Sequence, residues 1–269
     1  MSCVPTLAAN TKARRGWGTP ALVIEIGGGI GLGGLLRRFR CALLADRSCR
    51  IGYPCSMHDS FPKVYPILDA SYIPQTGRAK FLRGLGGSLA DAGVMLLEYR
   101  NKNGADEELL ADASVLRDAL SAGKVRLILD DRADLVEQAA FDGVHVDAGD
   151  LAPADARQLL GPERIVGTFG GNEALVEGIL LAPVDYLSIG PVFATRTKQT
   201  SKSPIGIEGV RRLRAQAGTG AVLVAVGGVS LATAAEVLAA GADTVAVSQA
   251  LFGQPDPAGE FCRWMAELA

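Results

Sequence analysis

The stretch 125–150, VRLILDDRADLVEQAAFDGVHVDAGD, carries the architecture in miniature. Two short, nearly continuous apolar runs, 125–129 and 143–146, flank an amphipathic Ala/Leu/Val-containing segment, 133–140, long enough for a crossover helix. Continuous rather than alternating apolar character is what a parallel strand needs when helices cover its sheet. Each run also gives way to carboxylates: Asp130 and Asp131 after the first, Asp147 and Asp150 after the second.

The same unit extends in both directions. Apolar runs at 64–68, 94–99, 164–168, 186–189, 222–226 and 244–247 complete a set of eight. Helix-like segments stand between them at 107–120, 208–215 and 232–239, with another at 258–268. About 205 residues for eight such units suits a (β/α)8 barrel, and the expected fold is α/β: a single TIM barrel with a non-barrel N-terminal extension. In such a barrel the functional groups collect at the C-terminal ends of the strands.

Composition narrows the function classes. The chain has 269 residues, 48% hydrophobic and 21% charged, with a net charge of −2 and a pI near 5.8. That is enough to bury a full core, and it lacks the basic footprint of a nucleic-acid binder. No apolar run reaches the length needed to span a bilayer. The five cysteines (3, 41, 49, 55 and 262) form no CxxC pair, and the two histidines, His58 and His145, leave little material for a His-based metal site or triad. A soluble protein of a reducing, cytoplasmic compartment is expected, with small-molecule phosphorylated substrates as partners. Neither nucleic acid nor membrane is expected, and a homo-oligomer is left open.

Residues 1–56 stand apart from the barrel at 57–269. They hold eight Lys and Arg against two acids, four of the five cysteines and the glycine run 27–34. Within that run Gly29-Ile30-Gly31-Leu32-Gly33-Gly34 matches G-x-G-x-x-G, but no doubly wound sheet follows it, so a dinucleotide site is not expected. The segment reads as a glycine- and arginine-rich extension, disordered or added by start-site assignment, with Met57 the natural start.

The strand ends concentrate the polar chemistry. Arg100 and Lys102 are two apart, so in an extended segment both point to one side and can clamp a polyanion. Asp131 and Asp150, at the mouths of neighbouring strands, are hard oxygen donors suited to Mg2+ beside a phosphate; Asp131 as a helix cap is the ordinary alternative. His145, inside a strand, reads as a hydrogen-bonded barrel residue rather than a catalyst. The long connection 191–204 brings Thr195, Thr197, Lys198 and Lys202. Gly227-Gly228 and Ser248 after the last two strands let the backbone approach an anion where many barrels hold phosphate.

In order along 63–252, these residues resemble the thiamine-phosphate synthase and thiazole tautomerase superfamily, and the synthase more closely. The family's Gln-x-Arg-x-Lys is similar to Glu98-Tyr99-Arg100-Asn101-Lys102, its Asn-Asp to Asp130-Asp131, and its Asp-Gly-Val-His with a following Asp to Asp142-Gly143-Val144-His145 and Asp150. Asp185-Tyr186, Gly190-Pro191, Thr195-Arg196-Thr197-Lys198 and Gly227-Gly228 continue the likeness. The resemblance implies a transferase that joins hydroxymethylpyrimidine diphosphate to thiazole phosphate and releases pyrophosphate, forming thiamine phosphate. It implies Arg100, Lys102 and Lys198 as catalytic diphosphate holders and Asp131 and Asp150 as Mg2+ ligands. Glu98, Asp130, Thr195, Thr197, Gly227, Gly228, Ser248 and Gln249 become substrate-binding residues. The sequence departs from the pattern at Glu98 for Gln, Asp130 for Asn, Phe169 for a phosphate-contacting Ser, and Ala148-Gly149 for Gln-Glu. The added anions call for a metal, a lysine or protonation to offset them. The alternatives are a tautomerase acting on thiazole phosphate, disfavoured by the lack of His in Phe169-Gly170-Gly171, and a non-catalytic binder of phosphorylated ligands.

Overall fold

The computed structural model describes residues 61–121, 124–195 and 201–269. The expected extension, 1–56, lies outside them. Eight parallel strands close into a barrel in chain order: β1 (Val64–Asp69), β2 (Leu96–Arg100), β3 (Arg126–Asp130), β4 (Gly143–Val146), β5 (Ile165–Gly171), β6 (Tyr186–Ile189), β7 (Leu223–Val226) and β8 (Thr244–Val247). The ring shuts where Val64 pairs in register with Val245. Around it run α1 (Arg78–Asp91), α2 (Asp106–Leu120), α3 (Pro153–Leu160), α4 (Gly206–Ala217), α5 (Leu231–Ala239), α6 (Gln249–Phe252) and α7 (Pro257–Glu267).

Two crossovers are not helices. The segment expected to be helical over 133–140 is a 3-10 turn, Ala133–Leu135, closed by the bond from Phe141 N–H to the Val136 carbonyl at 3.0 Å, with Ala140 at φ 54°. The chain turns back at once, the Asp142 N–H already bonding the Leu127 carbonyl of β3 at 2.7 Å. The return after β5 is likewise a 3-10 turn, Ile179–Leu181. α1 and α3 occupy crossovers for which the sequence pattern had singled out no segment.

Strand alternation divides the core in two. Leu97, Tyr99, Leu127, Leu129, Val144 and Val146 face the helices, while Tyr65, Leu96, Ile128, Ile165, Tyr186, Val224 and Ala246 fill the barrel interior. Gly167 is required there, because a Cβ would sit 2.0 Å from the Tyr186 ring. At the N-terminal end a repeated staple locks alternate strand pairs. Asp142, Asp185 and Asp243 accept from the backbone N–H of Leu127, Val166 and Leu223, each at 2.7 Å, and pair with Arg117, Arg157 and Arg214 from the crossover helices.

Candidate active site

Alternation also builds the site. Tyr65, Ile67 and Asp69 share the inner parity of β1, Leu96, Glu98 and Arg100 that of β2, and Ile128 and Asp130 that of β3. The inner residues rise from an apolar floor to a polar mouth, enclosing a cavity of about 590 Å3 at the C-terminal ends of the strands. Its wall includes Glu98, Arg100, Asp130, His145, Thr195, Gly227, Gly228, Ser248 and Gln249. Thr197 and Lys198 lie outside the described residues.

On the β2–β3 side the charges are tightly paired. Arg100 Nε and Lys102 Nζ converge on the same oxygen of Asp130, at 3.2 and 3.3 Å. Arg100 also pairs with Asp69, and Lys102 with Asp131. Burial opposes ionisation of Asp69, but hydrogen bonds from Ser71 and the Arg100 guanidinium outweigh it and hold its carboxyl below the usual range. Burial likewise opposes the charge on Lys102, and here the Asp130 and Asp131 carboxylates prevail and raise its pKa.

The two residues that bring added acid behave differently from exposed carboxylates. Glu98 is fully buried, and desolvation followed by the charge of Asp130 pushes its pKa well above the carboxylate range. Asp130 is raised less, by burial and then by Asp131, because Lys102 and Arg100 oppose the shift. Lysine pairing and a preference for protonation thus offset the extra anions. Glu98 is also the end of a buried chain: the Tyr65 hydroxyl donates to its Oε2 at 2.8 Å and meets the Tyr186 hydroxyl at 3.1 Å. Tyr186 in turn lies 3.0 Å from His145 Nδ1, and the two rings stack. His145 is therefore a hydrogen-bonded residue of the barrel interior.

Asp131 does not cap a helix. It takes φ 67°, a left-handed conformation that Asp tolerates better than most residues, and donates its N–H to the His145 carbonyl at 2.8 Å. Asp150, from the turn after β4, accepts the Asp147 N–H at 2.8 Å. Burial and then the Asp131 carboxyl raise its pKa, against the pull of that N–H. One oxygen of Asp131, Oδ1, is buried with no hydrogen-bond partner among the described residues. Two adjacent carboxylates, one with an orphaned oxygen, fit a hard divalent cation that keeps several waters.

Across the mouth the β7–β8 side is uncharged. Gly227 and Gly228 take φ 92° and 68°, and a Cβ on Gly228 would lie 2.5 Å from the Ala194 carbonyl oxygen. The Ser248 Oγ is buried without a hydrogen-bond partner among the described residues, a donor left for a ligand. Tyr65, Asp69 and Tyr186 went unnoticed as site residues in the sequence. Counting the parity from Glu98 across neighbouring strands was the signal that could have found them.

The family model for thiamine monophosphate synthase matches residues 64–251. A thiamine-phosphate synthase of Koribacter versatilis is 41% identical over 194 residues, covering 72% of this chain and 90% of its own. One of Agrobacterium fabrum is 37% identical over 163 residues, covering 60% and 74%. Among solved structures, a thiamine phosphate pyrophosphorylase from Pyrococcus furiosus aligns with a TM-score of 0.62 at 25% identity, covering 77% of this chain and 95% of that one.

Proposed function

This chain belongs to the thiamine monophosphate synthase family, and from that premise we infer that it is a transferase joining hydroxymethylpyrimidine diphosphate to thiazole phosphate, giving thiamine phosphate and pyrophosphate. The observation that carries the reading is the convergence of Arg100 and Lys102 on Asp130, beside Asp131 and Asp150. A group whose charge grows during reaction is best stabilised by cations already fixed around it.

In the reaction the bond between the pyrimidine's exocyclic carbon and the diphosphate oxygen breaks, and its electron pair leaves with pyrophosphate. The thiazole nitrogen supplies the pair that forms the new C–N bond. Arg100 and Lys102 hold the diphosphate and meet the negative charge as it accumulates. Asp131 and Asp150 would hold Mg2+, which when bound supplies further positive charge against the leaving group. Glu98, whose burial favours its neutral form, lines the cavity beside Tyr65, and that form does not repel the diphosphate. Thr195, the Gly227-Gly228 backbone, Ser248 and Gln249 hold the thiazole phosphate, and Thr197 and Lys198 complete the two subsites. No general base is required, which accords with His145, the one histidine among the described residues, being hydrogen-bonded to Tyr186.

The test is formation of thiamine phosphate by purified protein from both substrates, with and without Mg2+. Mg2+-dependent product is expected. Thiazole phosphate binding without turnover would overturn the synthase reading.

A further inference from the structure

Phe169 stands in the C-terminal half of β5, half-buried, where it lines the cavity. A benzyl side chain offers a ligand phosphate no hydrogen bond. It offers a face to a cation, and the face is used: the Lys202 ammonium lies 3.3 Å from the ring centroid. Lys202 comes from the segment leading into α4 and is an exposed residue that lines the same cavity as Phe169. The ring gives it one seat, and that seat is on the cavity wall.

The register places the pair on a particular side of the mouth. Thr168 pairs with Val146, so Phe169 lies one residue beyond that pair, level with the turn in which Asp150 holds the Asp147 N–H. The uncharged β7–β8 pocket begins two strands further on. Arg100 and Lys102 stand on the opposite arc, at the end of β2, engaged with Asp130 and Asp131. Among the described residues, a diphosphate bound between these arcs meets Arg100 and Lys102 on one side and Lys202, seated on a β5 side chain, on the other.

We propose that Lys202, seated on the ring of Phe169, is a further anion-holding residue of this site, gripping the substrate diphosphate and the pyrophosphate it becomes from the side facing Arg100 and Lys102. Phe169 is its positioning residue. The identity of the anion rests on the synthase reading, whereas the presence of a polyphosphate-holding cation at this place does not.

The probe is inorganic pyrophosphate, titrated calorimetrically with Mg2+ into the full chain and into Lys202→Met, Lys202→Arg and Phe169→Leu. Lys202→Met should weaken binding about tenfold or more, as expected for loss of a charge-assisted contact. Lys202→Arg should retain most of the affinity. Phe169→Leu keeps the cation and the apolar volume but removes the π face, and should cost about threefold. Product inhibition by pyrophosphate should weaken in the same order, with the affinity for thiazole phosphate unchanged. Equal pyrophosphate affinity in the unsubstituted chain and Lys202→Met overturns the proposal, as does absence of binding by the unsubstituted chain or a matching loss of thiazole phosphate affinity. If the pyrophosphate effect appears in a chain that forms no thiamine phosphate, the synthase reading fails and the role of Lys202 stands.

Discussion

At the β1–β3 side of the mouth Asp69, Arg100, Lys102, Asp130 and Asp131 form an unbroken chain of ion pairs, whereas the β7–β8 side presents Gly227, Gly228, Ser248 and Gln249, none of them ionisable. The contrast follows the two ligands proposed for this barrel. A diphosphate that becomes pyrophosphate gains charge as its bond breaks, so fixed cations bind the transition state more strongly than the ground state. A thiazole phosphate keeps its charge throughout, and backbone amides with a hydroxyl can hold it without the desolvation cost of a buried cation. Under the proposed function, one arc acts on the rate and the other holds a substrate.

The largest expected effect comes from the charged arc. Lys102→Ala should lower turnover by about 100- to 1,000-fold, the usual cost of removing a group that meets developing charge, while thiazole phosphate affinity stays level. A parallel fall in that affinity would erase the distinction between the arcs. Asp150→Asn should come next, shifting the Mg2+ dependence of the rate to about 10- to 100-fold higher metal concentration; an unchanged metal titration removes Asp150 from the cation site. On the neutral arc, Ser248→Ala should raise KM for thiazole phosphate by about tenfold, matching loss of a hydrogen bond to a charged group, with kcat preserved. A fall in kcat at unchanged KM would mean that this side also acts on the transition state.

The smallest effect sharpens the boundary between the arcs. Glu98 binds its proton more tightly folded than unfolded, so its contribution to stability is present below the unfolded carboxylate pKa of about 4.3 and fades as pH rises through its raised folded value. Glu98→Gln removes that dependence. The variant should gain thermal stability over the parent as pH climbs from about 5 to 8, by about 2–4 °C for each kcal/mol recovered. Parallel melting curves across that range would show that Glu98 is ionised in the folded protein.

Much of the site was legible because barrels put polar residues at strand ends, and the strand ends could be read from short apolar runs. Arg100, Lys102, Asp130, Asp131 and Asp150 stand in the sequence directly after such runs, and the structure brings Arg100, Lys102, Asp130 and Asp131 into ion-pair contact, with the Asp150 carboxyl beside Asp131. Tyr65 and Tyr186 were not legible as partners of Glu98 and His145, because 121 residues separate the two tyrosines and their hydroxyls meet only when β1 and β6 face each other across the closed ring. The segment 133–140 misled for the opposite reason: its local pattern favours a helix, while the short span between β3 and β4 admits only a turn.

Sequence alone determined the number and order of the strands, since a doubly covered parallel strand must be apolar on both faces and that pattern is local. It also determined which residue types stand at the mouth. The tertiary structure decided which of them act together and in what charge state. Closure of the ring sets the distances between groups far apart in the chain, and burial sets the dielectric that drives Glu98 toward its neutral form while Arg100 and Lys102 oppose that shift at Asp130.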